Sequence, residues 1–192
     1  MSLLDQLKQS LGPNALQQIS QQLGTDAGTT NSAISAALPV LLSALARNAS
    51  TPHGATALNN ALDQHDGSVL DNVASAVDQG SGGMGAKILA HVLGNKQPVV
   101  ANGIGNATGL DASKVMSLLA MLAPLVMGAL GKAQRTNGLD AGGLASMLGQ
   151  ERNHINNNAG GLTGLMGMLD QNNDGSVVDD VMGIAGKMFG KR

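Results

Sequence analysis

A chain of 192 residues with a formal charge of −2, 12% charged residues, no cysteine and one aromatic, Phe189, excludes several functions at once. No basic stripe is available to neutralise phosphates, so a dedicated nucleic-acid binder is not expected. Without a thiol there is no disulfide, thiolate nucleophile or thiolate metal site. Leu, Val, Ile, Ala and ten Met must fill the core, which suits close helix packing better than an aromatic-lined pocket.

The opening residues, Met1 to Lys8, lack the basic region and apolar run of a signal peptide. A cytoplasmic location is expected, with signal-independent export left open. Leu3, Leu4, Leu7 and Leu11 share one helical face, and Gly12-Pro13 should end that helix. Leu16, Ile19 and Leu23 form the inner face of a second short helix, with Gly24 as its stop. These two helices read as an amphipathic lid, less readily as a docking face for a partner.

Gly24-Thr25-Asp26-Ala27 then leads into Ala33–Arg47, apolar nearly all round and interrupted by Pro39. The pattern returns without a gap: Gly109-Leu110-Asp111-Ala112 leads into Leu118–Lys132, interrupted by Pro124. One offset separates Gly24 from Gly109, Asp26 from Asp111, Pro39 from Pro124 and Arg47 from Lys132, which points to an internal duplication. Helices apolar on every face belong at the centre of a core. An internal proline costs about 3 kcal/mol, so Pro39 and Pro124 should kink or split their helices and free carbonyls near Ser35 and Ala120. The uncharged run Val115–Gly131 only touches the lower limit for a membrane span and has no Trp or Tyr anchor. A buried core helix is expected there.

Thr51-Pro52 is a cap followed by a first-turn proline and starts a helix with Ala57, Leu58, Ala61 and Leu62. Asp63-Gln64-His65-Asp66-Gly67 is a turn. Ser68 and Asp71 have capping-box spacing and should open a helix with Leu70, Val73 and Val77. Ser81-Gly82-Gly83 breaks the chain. Met84, Ile88, Leu89, Val92 and Leu93 form the next helix, closed by Gly94, and Pro98 starts another with Val99, Val100 and Ile104. A helix from about Asp140 carries Leu144, Met147, Leu148 and Ile155. The last expected pair places Leu162, Leu165, Met166 and Leu169 before an acidic loop, and Val178, Val181, Met182, Ile184 and Met188 after it.

No segment alternates as a strand does. The expected fold is all-α, a multihelical globular bundle of about ten short helices. Residues 1–23 are the amphipathic N-terminal helices, 24–135 the core with both proline helices, and 136–192 the C-terminal helices with the acidic loop, together one compact domain.

The acidic loop carries the most specific chemistry. Numbered from Asp170, an EF-hand loop needs oxygen ligands at positions 1, 3 and 5, glycine at 6, a carbonyl at 7 and a bidentate acid at 12. Asp170, Asn172, Asp174, Gly175 and the Ser176 carbonyl fit the first half. Position 12 is Val181, which cannot ligate, while Asp179 and Asp180 precede it. The candidate calcium ligands are therefore Asp170, Asn172, Asp174, Ser176, Asp179 and Asp180, with weak affinity, about 10⁻⁴ to 10⁻³ M. A capped turn explains the same residues: Asp174-Gly175 turns, and Ser176 with Asp179 caps the next helix. A shorter echo at Asp63–Asp71 keeps the capping chemistry and loses ligands. Glycine is dense from Gly160 to Gly190, and each one inside a helix costs about 1 kcal/mol against alanine. An ion, a partner or close packing should therefore order the last helix pair. Gly160-x₃-Gly164 and Gly183-x₂-Gly186-x₃-Gly190 put small residues on helix faces, for close packing first and for self-association second.

The elements Gly85–Leu89, Thr108–Asp111, Leu122-Ala123-Pro124 and Asp174-Gly175-Ser176-Val177 together resemble the YidB-like bacterial proteins, the family classed as domain of unknown function 937. The resemblance implies a bacterial source and a multihelical fold and brings no catalytic residues. It also implies an aspartate where this chain has Asn172, so the loop here is one charge weaker.

His53, His65, His91 and His154 are scattered with no metal-binding spacing. No serine lies in a nucleophile elbow, and Gly103-Ile104-Gly105 follows no strand. The expectation is a non-enzymatic helical interaction or scaffold protein that binds a protein partner or itself. Calcium is its one candidate cofactor. The alternative is a membrane-active or secreted protein using the Gly-rich apolar helices.

Overall fold

A computed structural model describes residues 2–79 and 83–158. Among them there is no strand, so the all-α expectation holds. They form eight α-helices: α1 (Leu3–Leu23), α2 (Ala27–Asn48), α3 (Pro52–Leu62), α4 (Val73–Gln79), α5 (Gly85–Leu93), α6 (Gln97–Thr108), α7 (Ala112–Asn137) and α8 (Ala141–Asn158). Contacts divide the chain into two units, Met1–Asn153 and His154–Arg192. The first unit is the body of the protein.

The helices are fewer and longer than the expected ten, with α1, α2 and α7 running 21, 22 and 26 residues. Gly12-Pro13 ends a first helical stretch, as expected, and what that length corrects is the split at the later prolines. Gly12 takes φ 39° and ψ 172°, and helix resumes at once on the far side, so α1 is two helical stretches meeting at a break. Pro39 and Pro124 do not split their helices. Both are buried inside continuous helices. The lost backbone bond costs about 3 kcal/mol, whereas each Leu taken out of water contributes about 1.5–3 kcal/mol. With Leu118, Leu119, Leu122, Leu125 and Leu130 all buried in α7, burial outweighs the defect.

α7 is the axis of the body and packs against α1, α2, α3, α4, α5 and α6. Its apolar stretch and that of α2 are long enough to cross a membrane, but 78% and 67% of those stretches is buried inside the protein. This is the burial expected of core helices. α1 lays Leu3, Leu7, Leu11, Ala15, Ile19 and Leu23 inward and covers α2, α4 and α7.

The corresponding residues of the two proline helices occupy corresponding places. Gly24 ends α1 and Gly109 ends α6, both left-handed. Asp26 then caps α2 by accepting the Thr29 amide, and Asp111 caps α7 by accepting the Lys114 amide. Pro13 and Pro98 share the same offset and sit where helix starts or restarts. The packing is crossed as well: α1 lies on both α2 and α7, and α6 lies on both α7 and α2.

Candidate functional site

The body's most specialised local structure is the connection from α3 to α4, the shorter echo of the acidic loop. α3 starts as expected, with the Thr51 hydroxyl accepting the Gly54 amide 3.1 Å away, and ends at Leu62. The chain then turns at Asp66-Gly67-Ser68, where Asp66 Oδ1 accepts the Ser68 amide at 2.9 Å. Gly67 has φ 90°, which a side chain would strain. Ser68 and Asp71 form no capping box on an α-helix. Ser68–Leu70 is a single 3₁₀ turn, and Asn72 caps α4 by accepting the Ser75 amide at 3.1 Å. The side chain adjacent to the helix start displaces the expected cap because it reaches an amide of the first turn directly.

This connection is seated on α7. A β-carbon on Gly131 would overlap the His65 carbonyl, and one on Gly128 would overlap a methyl of Val69. A β-carbon on Gly67 would stand 2.9 Å from Cβ of Lys132. Glycine is thus required on both surfaces for the backbones to approach. One turn further along, Arg135 donates to the carbonyls of His65 (3.0 Å), Leu62 (3.2 Å) and Asp63 (3.2 Å). The guanidinium gathers three main-chain oxygens, as a bound cation would, and so ties the end of α3 to α7.

Charges around the connection are tuned by these bonds. The Ser68 hydroxyl, then its amide, hold the Asp66 carboxyl below its ordinary value. Burial pushes the His65 imidazole down, with Asp66 opposing. At the two long-helix caps the Thr29 hydroxyl lowers Asp26, and the Ser113 hydroxyl lowers Asp111.

A second joint leaves little trace in the sequence. Glu151 of α8, the chain's single glutamate, is buried. Its two oxygens accept the Leu3 amide at 3.0 Å and the Leu4 amide at 2.9 Å. It closes the N-terminus of α1 across nearly the whole sequence, where unpaired amides and the helix dipole favour an anion. Ser2 and Asp5 complete the same end as a capping box. The only advance signal for Glu151 is its rarity, since its neighbours Gln150 and Arg152 are as polar as it is. Arg135 and Gly131 are hidden for a different reason: their partners are backbone atoms far away in sequence.

Elsewhere the buried Ser20, Thr30 and Gln134 and the exposed Asn48 also serve joints. Ser20 and Thr30 bond across α1 and α2 at 2.9 Å. Gln134 reaches Asn59 at 2.8 Å, and Asn48 donates to the Val92 carbonyl at the end of α5 at 3.1 Å. An open depression of about 900 Å³ runs along α1 and the start of α2, beside Leu16, Gln17, Gln21, Thr25 and Asp26. Its one acid, Asp26, is engaged as the α2 cap.

Among the described residues no three acidic or histidine side chains gather as metal ligands do. The six residues read as calcium ligands, Asp170, Asn172, Asp174, Ser176, Asp179 and Asp180, lie outside the described residues.

Residues 5–133 match the family described as bacterial protein of unknown function (DUF937). No curated protein and no solved structure matches the chain.

Proposed function

Given that the chain belongs to this bacterial family of unknown function, we propose that it is a non-enzymatic helical scaffold, built from two copies of one helix pair, that presents its outer surface to a protein partner. The observation that supports the reading is where the polar side chains at its helix junctions point. Glu151, Arg135 and Asn48 all bind main-chain groups at helix ends, and Gln134 and Ser20 bind side chains of adjoining helices. Polar groups placed in this way fix helices against one another.

Descent by duplication is part of this proposal. It is supported by the shared offset of Pro13 and Pro98, Gly24 and Gly109, Asp26 and Asp111, and Pro39 and Pro124, and by the crossed packing of α1 and α6. Weak calcium binding at Asp170–Asp180 is also part of it, supported by the ligand spacing alone. Melting curves in millimolar calcium and in chelator test that part: a rise in melting temperature with calcium is expected, and identical curves remove the ion.

The competing reading is a membrane-active protein that releases α2 or α7 into lipid. Flotation with vesicles of mixed neutral and anionic lipid separates the two. The scaffold stays with the dense fraction, because opening the body would expose the Leu side chains of α7 to water before they reach lipid. Stable flotation would overturn the scaffold reading.

A further inference from the structure

The first stretch of α1 is a helix in its own right. Ser2 and Asp5 give it a capping box, Leu3, Leu7 and Leu11 lie buried on one face, and Glu151 accepts the Leu3 and Leu4 amides. One residue joins its far end to the rest of α1. Gly12 takes φ 39° and ψ 172°, a combination open to glycine and strained for any L side chain. Packing does not demand a glycine there, because a β-carbon on Gly12 would meet nothing within 4 Å. Pro13 has no amide hydrogen, so the helical bond back to Gln9 is missing across the joint. The matching position before the matching proline behaves differently: Gln97, which precedes Pro98, has φ −51° and ψ −48°. The conformation of Gly12 is therefore no requirement of the proline that follows it. What Gly12 sets is the direction of the first stretch.

We infer that residues 2–11 form an arm, hinged at Gly12, that two copies of this chain exchange, each arm lying on the seat that the other copy's arm vacates. The contacts themselves fix the occupant. The seat takes three leucines at helical spacing and offers the Glu151 carboxylate to two amides, and this arm meets all of those demands. In the closed monomer the hinge keeps φ 39°. In the exchanged pair it takes negative φ, as Gln97 does, which turns the arm away from its own seat. The buried leucines and the Glu151 bonds are the same in both forms and cancel. The balance then rests on the hinge and on the entropy of bringing two chains together. Each copy gives one arm and receives one, so the exchange is two-fold and closes at a dimer. Glycine leaves the closed hinge unstrained, so the wild-type chain pairs only when concentrated.

This inference rests on the scaffold reading and names a second copy as the partner. Sedimentation velocity of the full chain over a dilution series tests it, with each sample first warmed and cooled so that arms can exchange. Gly12→Ala strains the closed hinge and touches nothing else. Two hinges are relieved in each dimer, so the association constant should rise roughly 30-fold or more over wild type, and Gly12→Val should do at least as much. A spin label then locates the contact. The chain has no cysteine, so Gln6→Cys, at an exposed position of the arm, carries a single label. Labelled Gly12→Ala chains mixed with isotope-enriched Gly12→Ala chains should broaden the amide signal of Glu151 in the enriched copy. Association that is the same in wild type and both Gly12 variants, or broadening that spares Glu151, would overturn the exchange. If such a chain also stays off vesicles, the scaffold reading survives and only the second copy is lost as its partner.

Discussion

The two long proline helices begin identically and end differently. α2 and α7 share an aspartate cap, a left-handed glycine before it and a buried proline at one register. Beyond the proline they part. α7 has Gly128 and Gly131 where α2 has Ser43 and Ala46. Removing those side chains lets the α3–α4 connection rest on the α7 backbone, with Arg135 fastening it. Among the described residues α2 receives no such segment, and the buried Ser43 hydroxyl finds no partner. The caps and proline set each helix's start and course, while a few small residues decide which helix becomes the axis.

The strongest way to break this contrast is at the seat. Gly131→Ala should destabilise the protein by about 3 kcal/mol in denaturant titration, because the added methyl meets a main-chain carbonyl that cannot yield cheaply. Helix propensity alone would give the opposite sign, a gain of about 1 kcal/mol. At the matching position of α2, Ala46→Gly should cost about 1 kcal/mol. A stabilised Gly131→Ala would show that the close approach is not needed.

Next in size is the joint at the start of α1. Glu151→Ala leaves two amides without their acceptor and should cost about 2–3 kcal/mol. Glu151→Gln keeps one acceptor oxygen and should fall between that variant and wild type. Equal melting temperatures for all three proteins would mean that α1 needs no cap from α8.

Arg135→Ala should cost about 1 kcal/mol, since the guanidinium is exposed and water replaces part of what it provides. Arg135→Lys should recover little, because one ammonium cannot reproduce the fork that reaches both Leu62 and His65. Thermal melts of the pair with wild type decide it, and full rescue by lysine would reduce the contact to simple charge.

The smallest expected effects lie on the pH axis. Asp26 and Asp111 have folded values below the ordinary 3.8. Their contribution is complete above that value and is lost as pH falls through the lower folded value. Because both caps are built alike, Asp26→Asn and Asp111→Asn should flatten the acid limb of the stability curve to a similar degree. His65 is also depressed, from 6.5. For a base this means that stability begins to fall as pH drops below 6.5, where the unfolded chain binds the proton more readily. His65→Gln should remove that shallow slope and leave the acid limb intact.

Much of the fold is legible in the sequence because it depends on local chemistry. Thr51-Pro52, Gly94, Pro98 and Asp140 mark helix boundaries wherever they occur, and the apolar runs around Pro39 and Pro124 can only be core. The length of the helices is less legible. A proline penalty taken alone predicts a break, and the compensating burial is visible only once α7 has neighbours on several sides. The joints are least legible, since Glu151 and Arg135 act on backbone atoms that carry no side-chain signature. The shorter echo at Asp63–Asp71 has the pattern of a capping motif, and it does contain a turn. Its cap lies at Asn72, and Gly67 and Val69 serve to fit a groove that local pattern does not describe.

Amide hydrogen exchange compared between wild type and Gly131→Ala tests the central claim most directly, namely that α7's glycines hold the α3–α4 connection. The amides of Ser68, Leu70 and Asp71, bonded within that connection, should exchange markedly faster in the variant, with those in the middle of α2 much less affected. Unchanged protection at Ser68–Asp71, or an equal loss throughout α2, would contradict it.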